Sequence, residues 1–260
     1  MKNKFIYISI YIFINLFFTS NLNSKDIFNF NVTEIQITQD GNLFKGYNGG
    51  EAFTNDGVSI TAKNFEYNKI TNILIAKKNV KLIDKKKNII INADQISYLK
   101  NEEKVIAKGN VQLEDKSKDI IINTDQISYL KSKEHIFANG NVQLEDKSKD
   151  IAINADEISY LKNEEKVVAN GNVQLEDKNK NITINTIKIT YLKNINKIYS
   201  EGKTEAYISS KYKFYSKDVT FLKDEMKLYS SNKTIINDDN LSTYELGSFD
   251  YEIKKEFLKG

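Results

Sequence analysis

Beyond its first two dozen residues the chain alternates apolar and polar side chains with a period of two and nowhere sustains helical spacing. That is the signature of half-buried β-strands. In "NVQLED", Val111 and Leu113 fall on one face, Gln112 and Glu114 on the other. In "DIIINTDQISYLK", Ile120, Ile122 and Thr124 share a face; after Asp125 the parity shifts, and Ile127 and Tyr129 take the apolar role. "HIFANGN" supplies Ile136 and Ala138, and the parity is expected to shift again at Asn139-Gly140 before Val142. The polar clusters "EDKSK" and "KSKE" (elsewhere "KNEE") have the length of hairpin loops joining antiparallel neighbours. The interruptions lie mid-strand, where glycine accepts bend or bulge geometry and a one-residue slip reverses the inward face. Asp119 to Lys131 and Glu134 to Asp146 therefore read as two long strands, each bent near its middle.

This unit recurs. Gly109, Gly140, Gly171 and Gly202 are 31 residues apart each time, and Tyr67, Tyr98, Tyr129, Tyr160 and Tyr191 keep the same step, as do Asp94, Asp125 and Asp156. The outer copies decay: Ile187 replaces the Asp, and Leu222 stands where the next Tyr falls due. About six copies run from near Gly49 to about Lys233. The boundaries drawn are an export signal over 1–24, lead-in strands over 25–48, the repeats over 49–233 and an incomplete further copy over 234–260. Stacked side by side, such strands make an all-β antiparallel meander folded along its midline into two facing sheets, apolar residues in the crease. A parallel β-helix is the competing architecture for a repeat of this length, although charged hairpins at both ends favour antiparallel pairing. One copy buries too little to offset the entropy of ordering it; a row of copies shares a continuous interior.

The opening "MKNKFIYISIYIFINLFF" has Lys2 and Lys4 before an apolar run from Phe5 to Phe18, too short for a bilayer span and suited to an export signal. An uncleaved anchor is the alternative, since no small-residue cleavage pair is present. Net charge is +3, from 38 basic and 35 acidic residues interspersed, so no basic stripe supports nucleic-acid binding. There is no Cys and a single His, which removes disulfides, thiolate metal sites and Cys nucleophiles, and leaves His135 alone for any triad. No glycine-rich stretch sits between strand and helix, so nucleotide binding is rejected too. No catalytic residue, metal or cofactor is expected.

The repeated "YLKNEEKVVANGNVQLED", preceded by "INADEISY", resembles the OstA-like repeat of the lipopolysaccharide-transport family shared by LptA and the periplasmic domain of LptD. Its pattern I-x-A-D-x-x-x-Y … V-x-A-x-G-x-V is matched by Ile91, Ala93, Asp94, Tyr98, Val105, Ala107, Gly109 and Val111. It recurs at Ile153, Ala155, Asp156, Tyr160, Val167, Ala169, Gly171 and Val173. The resemblance covers roughly Gly49 to Gly202 well, and the C-terminal stretch loosely. It implies an open, V-shaped β-jellyroll that carries lipid A acyl chains of lipopolysaccharide across the periplasm toward the outer membrane. It also implies end-to-end docking with other β-jellyrolls of the system through edge strands. Fewer than 30 residues follow the last copy, and "YEIKKEFLKG" looks like the start of another. Both a free-standing LptA-like bridge and the N-terminal part of a longer LptD-like protein are therefore expected forms.

On the residues alone, a closed sandwich core is the favoured reading of the inward set; the resemblance reverses this for at least the residues near the open side, implying a lipid-facing crease open to solvent along one flank. That set is Val80, Leu82, Ile91 and Ile96, then Val111, Leu113, Ile120, Ile122, Ile127, Tyr129 and Ile136. It continues with Val142, Leu144, Ile153, Ile158, Val167, Val173 and Leu175. The recurring Asp94, Asp125 and Asp156 read as bend-stabilising groups bonded to nearby backbone, and the tyrosines as core aromatics with hydroxyls at the rim. A non-catalytic strut or adhesin with a sealed core is the reading from a different class.

Overall fold

Hairpins form where the alternation places them: Ile120–Leu130 and His135–Asp146 are antiparallel strands joined by a 3₁₀ turn at Lys131–Lys133. The computed structural model describes residues 28–209 and 211–260, so the expected export signal lies outside the described residues. The strands open with β1 (Asn29–Thr38), β2 (Leu43–Phe53), β3 (Val58–Ala62) and β4 (Asn64–Asn68). The long ones follow as β5 (Ile73–Asp84), β6 (Ile89–Leu99), β7 (Lys104–Asp115), β8 (Ile120–Leu130) and β9 (His135–Asp146). They continue as β10 (Ile151–Leu161), β11 (Lys166–Asp177), β12 (Ile182–Leu192) and β13 (Lys197–Ile208). Shorter pieces complete the set: β14 (Tyr212–Lys217), β15 (Thr220–Leu222), β16 (Lys227–Ser230), β17 (Thr234–Asp238), β18 (Thr243–Leu246), β19 (Phe249–Glu252) and β20 (Phe257–Lys259).

From β5 to β13 each strand pairs with the next. The short strands are bent strands cut at the bend: β3 and β4 lie along the two halves of β5, and β14 and β15 along those of β13. Every pairing among the described residues is antiparallel, which excludes the β-helix. Among the described residues the meander's ends are unpartnered: β1 pairs with β2, and β18 and β20 each with one neighbour.

The bend has two chemistries, where the alternation suggested one. On β8 the inward set slips by one residue, from Ile120, Ile122 and Thr124 to Ile127 and Tyr129, as expected. On β9 the shift expected at Asn139-Gly140 does not occur: Ile136, Ala138, Val142 and Leu144 keep one parity. That strand turns instead by a bulge in which Gly140 and Asn141 are both left-handed, at φ 86° and 47°. The two face a single residue, Asp156, between the pairs Ala155↔Val142 and Glu157↔Asn139. Asn tolerates this region and Gly is unstrained there.

A Cβ on Gly140 would also lie 2.6 Å from Asp125 Oδ2 and 3.0 Å from its Cβ. Gly140→Ala is therefore expected to destabilise by about 1–3 kcal/mol. Gly247→Ala, whose Cβ would meet nothing within 4 Å, should be neutral in the same urea titration. Equal midpoints for the two variants would contradict this account of the bend. Asp125 itself bonds a side chain rather than backbone, accepting from Asn141 Nδ2 at 3.0 Å; Asp94 and Asp156 do the same with Asn110 and Asn172, at 2.8 and 2.9 Å.

Candidate functional site

The two arms close on a single apolar cluster that runs from Phe28 to Tyr251. Val80, Leu82, Ile91, Ile96, Val111, Leu113, Ile120, Ile122 and Ile127 all lie in it. So do Tyr129, Ile136, Val142, Leu144, Ile153, Ile158, Val167, Val173 and Leu175. None of these side chains is more than 2% exposed. The crease is therefore filled by its own side chains, and the flank expected to be open to solvent is shut.

What shuts it is a ladder of buried charges along the side opposite the bends. Each Asp that ends an odd-numbered long strand points inward, at the tip of one arm. Each Lys that follows the Tyr-Leu of an even-numbered strand points inward from the other tip. Asp115 meets Lys162 Nζ at 2.9 Å, and Asp146 meets Lys193 Nζ at 2.6 Å. Asp177 pairs with Lys223, and Asp84 lies 3.2 Å from Lys131. Tyrosine completes the rung: Tyr160 donates to Asp115 Oδ2 and Tyr191 to Asp146 Oδ2, both at 2.9 Å. The loop serves the same carboxylate, since Ser117 N and Oγ donate to Asp115 Oδ1 at 3.0 and 2.7 Å. An outer layer runs with reversed polarity, Lys87 to Glu134 at 2.5 Å and Lys118 to Glu165.

The desolvated carboxylates of Asp115 and Asp146 are tolerable because both oxygens of each accept at least one hydrogen bond. Burial, and then the adjacent Asp charge, push the Tyr160 and Tyr191 hydroxyls well above the ordinary phenol range; Tyr129 is raised by burial and then by Asp84.

The rung nearest the N-terminus is incomplete. Lys131 is divided between Asp84, Asp56 at 3.4 Å and the Tyr98 hydroxyl at 3.3 Å. Among the described residues the Tyr129 hydroxyl is left without a hydrogen-bond partner, and Asp84 Oδ2 has the Lys131 ammonium at 3.2 Å but no hydrogen bond. Burial works against the Asp56 carboxylate, but a bond from Thr54 and the charges of Lys131 and Lys100 outweigh it and hold its pKa at about 2. Its contribution to stability is present above the ordinary value of 3.8 and disappears as the pH falls through about 2. A cavity of about 280 Å³ opens here, bounded by Asp56, Asp84, Lys87 and Lys131.

No expectation from the sequence falls on these residues: Asp94, Asp125 and Asp156 stand out there and lie at the bend, although Asp84, Asp115, Asp146 and Asp177 share the same 31-residue step. The signal was present in the alternation. Asp115 has the parity of Val111 and Leu113, and Lys131 that of Ile127 and Tyr129, so both were bound to face inward. His135 lies outside the crease, its Nε2 2.6 Å from Ser159 Oγ. Among the described residues no cluster of three His, Cys, Asp or Glu is placed to hold a metal, and no helix is long and apolar enough to cross a membrane.

No protein-family model matches the chain, and no curated protein matches it. Among solved structures it is similar to LptH of Pseudomonas aeruginosa, described as the LptA-homologous periplasmic component of the conserved lipopolysaccharide transport device. The TM-score is 0.41 at 15% identity, over 45% of this chain and 85% of that one. A likeness this shallow carries no residue roles across.

Proposed function

We propose that this chain is a non-catalytic lipid carrier of the bacterial envelope, taking lipopolysaccharide acyl chains between its two arms. The reading places it in the periplasm in association with the outer membrane, as an LptA-like bridge or an LptD-like periplasmic domain. Its unpaired edges β1, β18 and β20 would dock against other β-jellyrolls by strand addition. The observation that carries it is the unbroken apolar interior between two facing arms, built on a repeat with the OstA-like pattern.

The seam sets how a chain could get in. An apolar seam would have to expose oil to water on parting, whereas Lys162 and Asp115 regain their hydration when they separate. A polar seam is thus cheap to reopen relative to an apolar one of the same shape. The incomplete rung at Asp84 and Tyr129 marks where parting costs least, because the Tyr129 hydroxyl there has no hydrogen-bond partner among the described residues and Lys131 is divided among three acceptors.

A photoreactive residue at Val142 or Ile122 is expected to label with lipopolysaccharide, and one at Gln143, adjacent in sequence but outward-facing, is expected not to. Equal labelling at Gln143 and Val142, or none at Val142, would remove the proposal. The second reading, a strut with a permanently sealed core, is favoured by the complete burial of the crease and requires no labelling at either position.

A further inference from the structure

The repeat fails in one place on the outer surface, and a trough lies there. In the regular copies the bend carries an Asp over the glycine and an Asn after it, bonded to each other as Asp156 is to Asn172. One step of the repeat later those positions hold Ile187 and Lys203. Ile187 now covers Gly202, its Cδ1 placed 3.3 Å from where a glycine Cβ would sit, and is 66% exposed. The next bent strands add Tyr215 and Lys217 from β14, and Ile235, 37% exposed, from β17. Together these residues line an open trough of about 550 Å³.

The charge in it is unbalanced, with Lys203, Lys217 and Lys233 in the lining against one carboxylate, Glu205. Lys203 and Lys217 stand directly opposite each other across the β13–β14 pair, an arrangement that like charges disfavour. The neighbouring lysines have carboxylate partners: Lys188 with Glu201, Lys213 with Glu205 and Lys233 with Glu245. Among the described residues Lys203 and Lys217 form no ion pair, and both side chains are exposed. An exposed isoleucine pair beside two facing, uncompensated ammonium groups is complementary to one kind of molecule: an alkyl chain ending in an anion.

We infer that this trough binds an anionic amphiphile, with a phosphate head between Lys203 and Lys217 and the alkyl chain across Ile187 and Ile235. The site is on the outside of the arm, separate from the crease, and does not depend on the crease carrying lipid.

The probe is dodecyl phosphate below its micellar concentration, titrated into the whole protein and followed by amide and methyl chemical shifts. Shifts are expected to concentrate at Ile187, Lys203, Lys217 and Ile235. Ile187→Asp with Lys203→Asn rewrites the bend in the form of its neighbours, a sequence this fold already accommodates, and is expected to weaken binding by about tenfold or more. Lys217→Gln, which leaves the isoleucines in place, should weaken dodecyl phosphate without affecting an uncharged alkyl maltoside. Inorganic phosphate alone should bind far more weakly. The inference is overturned if the rewritten bend binds as well as the native protein. It is equally overturned if the maltoside or free phosphate matches dodecyl phosphate, or if the shifts appear only at interior residues.

Discussion

Replacing Asp146 with Ala destabilises the protein by about 3–5 kcal/mol, the cost of leaving a buried charge without its partner. Lys193 loses the carboxylate that meets it at 2.6 Å, and the Tyr191 hydroxyl loses its acceptor. Both remain under the seam, with the Lys193 side chain only 7% exposed. The companion variant replaces the whole rung with apolar residues of similar size: Asp146→Leu, Tyr191→Phe and Lys193→Met together. It is expected to recover most or all of the loss, because removing both charges also removes their desolvation cost. Urea denaturation of the two variants measures the contrast. A loss under about 1 kcal/mol for Asp146→Ala, the range of a solvated surface pair, would show that the seam is wet. If lipid access needs the seam to part, the apolar rung should be more stable and yet label more weakly from Val142.

Stability should also collapse steeply above about pH 10. Burial, reinforced by Asp84, Asp115 and Asp146, holds the Tyr129, Tyr160 and Tyr191 hydroxyls protonated in the fold far beyond the ordinary phenol value of 10.0. The unfolded chain releases those protons at about 10, so above that pH it binds fewer protons than the native state, and stability falls as pH rises. The contribution is complete below about pH 10 and shrinks by about 1.4 kcal/mol per pH unit for each tyrosine, about 4 kcal/mol per unit for the three together. Tyr251, pushed up by burial to about 12, adds to the same slope over a narrower window. Ultraviolet absorbance of tyrosinate and far-ultraviolet circular dichroism, followed on one alkaline titration, give the check. The slow-ionising share of the absorbance should rise together with the loss of strand signal. Full ionisation with the sheet intact would mean the hydroxyls are not held by the seam.

The strands were legible because each side chain's face is set by counting in twos. Ile120, Ile122, Ile127 and Tyr129 were assigned inward from sequence, and β8 buries all four. The bend was legible at Asp125, where parity breaks. At Gly140 the expected second shift was wrong: the backbone spends two left-handed residues without changing parity, a geometry that alternation does not record. A closed core was the reading the residues alone favoured, but the charged ladder that shuts it was not anticipated, because charged residues beside a turn look solvated and a turn is where solvated charge is usually found. Pairing Asp115 with Lys162 requires knowing that the tips of the arms meet, a long-range fact. Yet the inward parity of both residues already made them poor candidates for surface charge.

In the two complete rungs the seam joins residues 47 apart for the lysine and 45 apart for the tyrosine, in successive copies alike. The molecule is consequently indifferent to losing or gaining a whole unit. Excising residues 119–149 would leave Lys118 running into Asp150, the same Lys-Asp-Ile junction as before, and would bring Lys193 and Tyr191 onto Asp115 with nothing out of step. Such a chain should fold, shorter by two strand spacings, or about 9.6 Å. Recombination between near-identical gene segments could therefore trim or extend this protein like a ruler marked only in whole divisions.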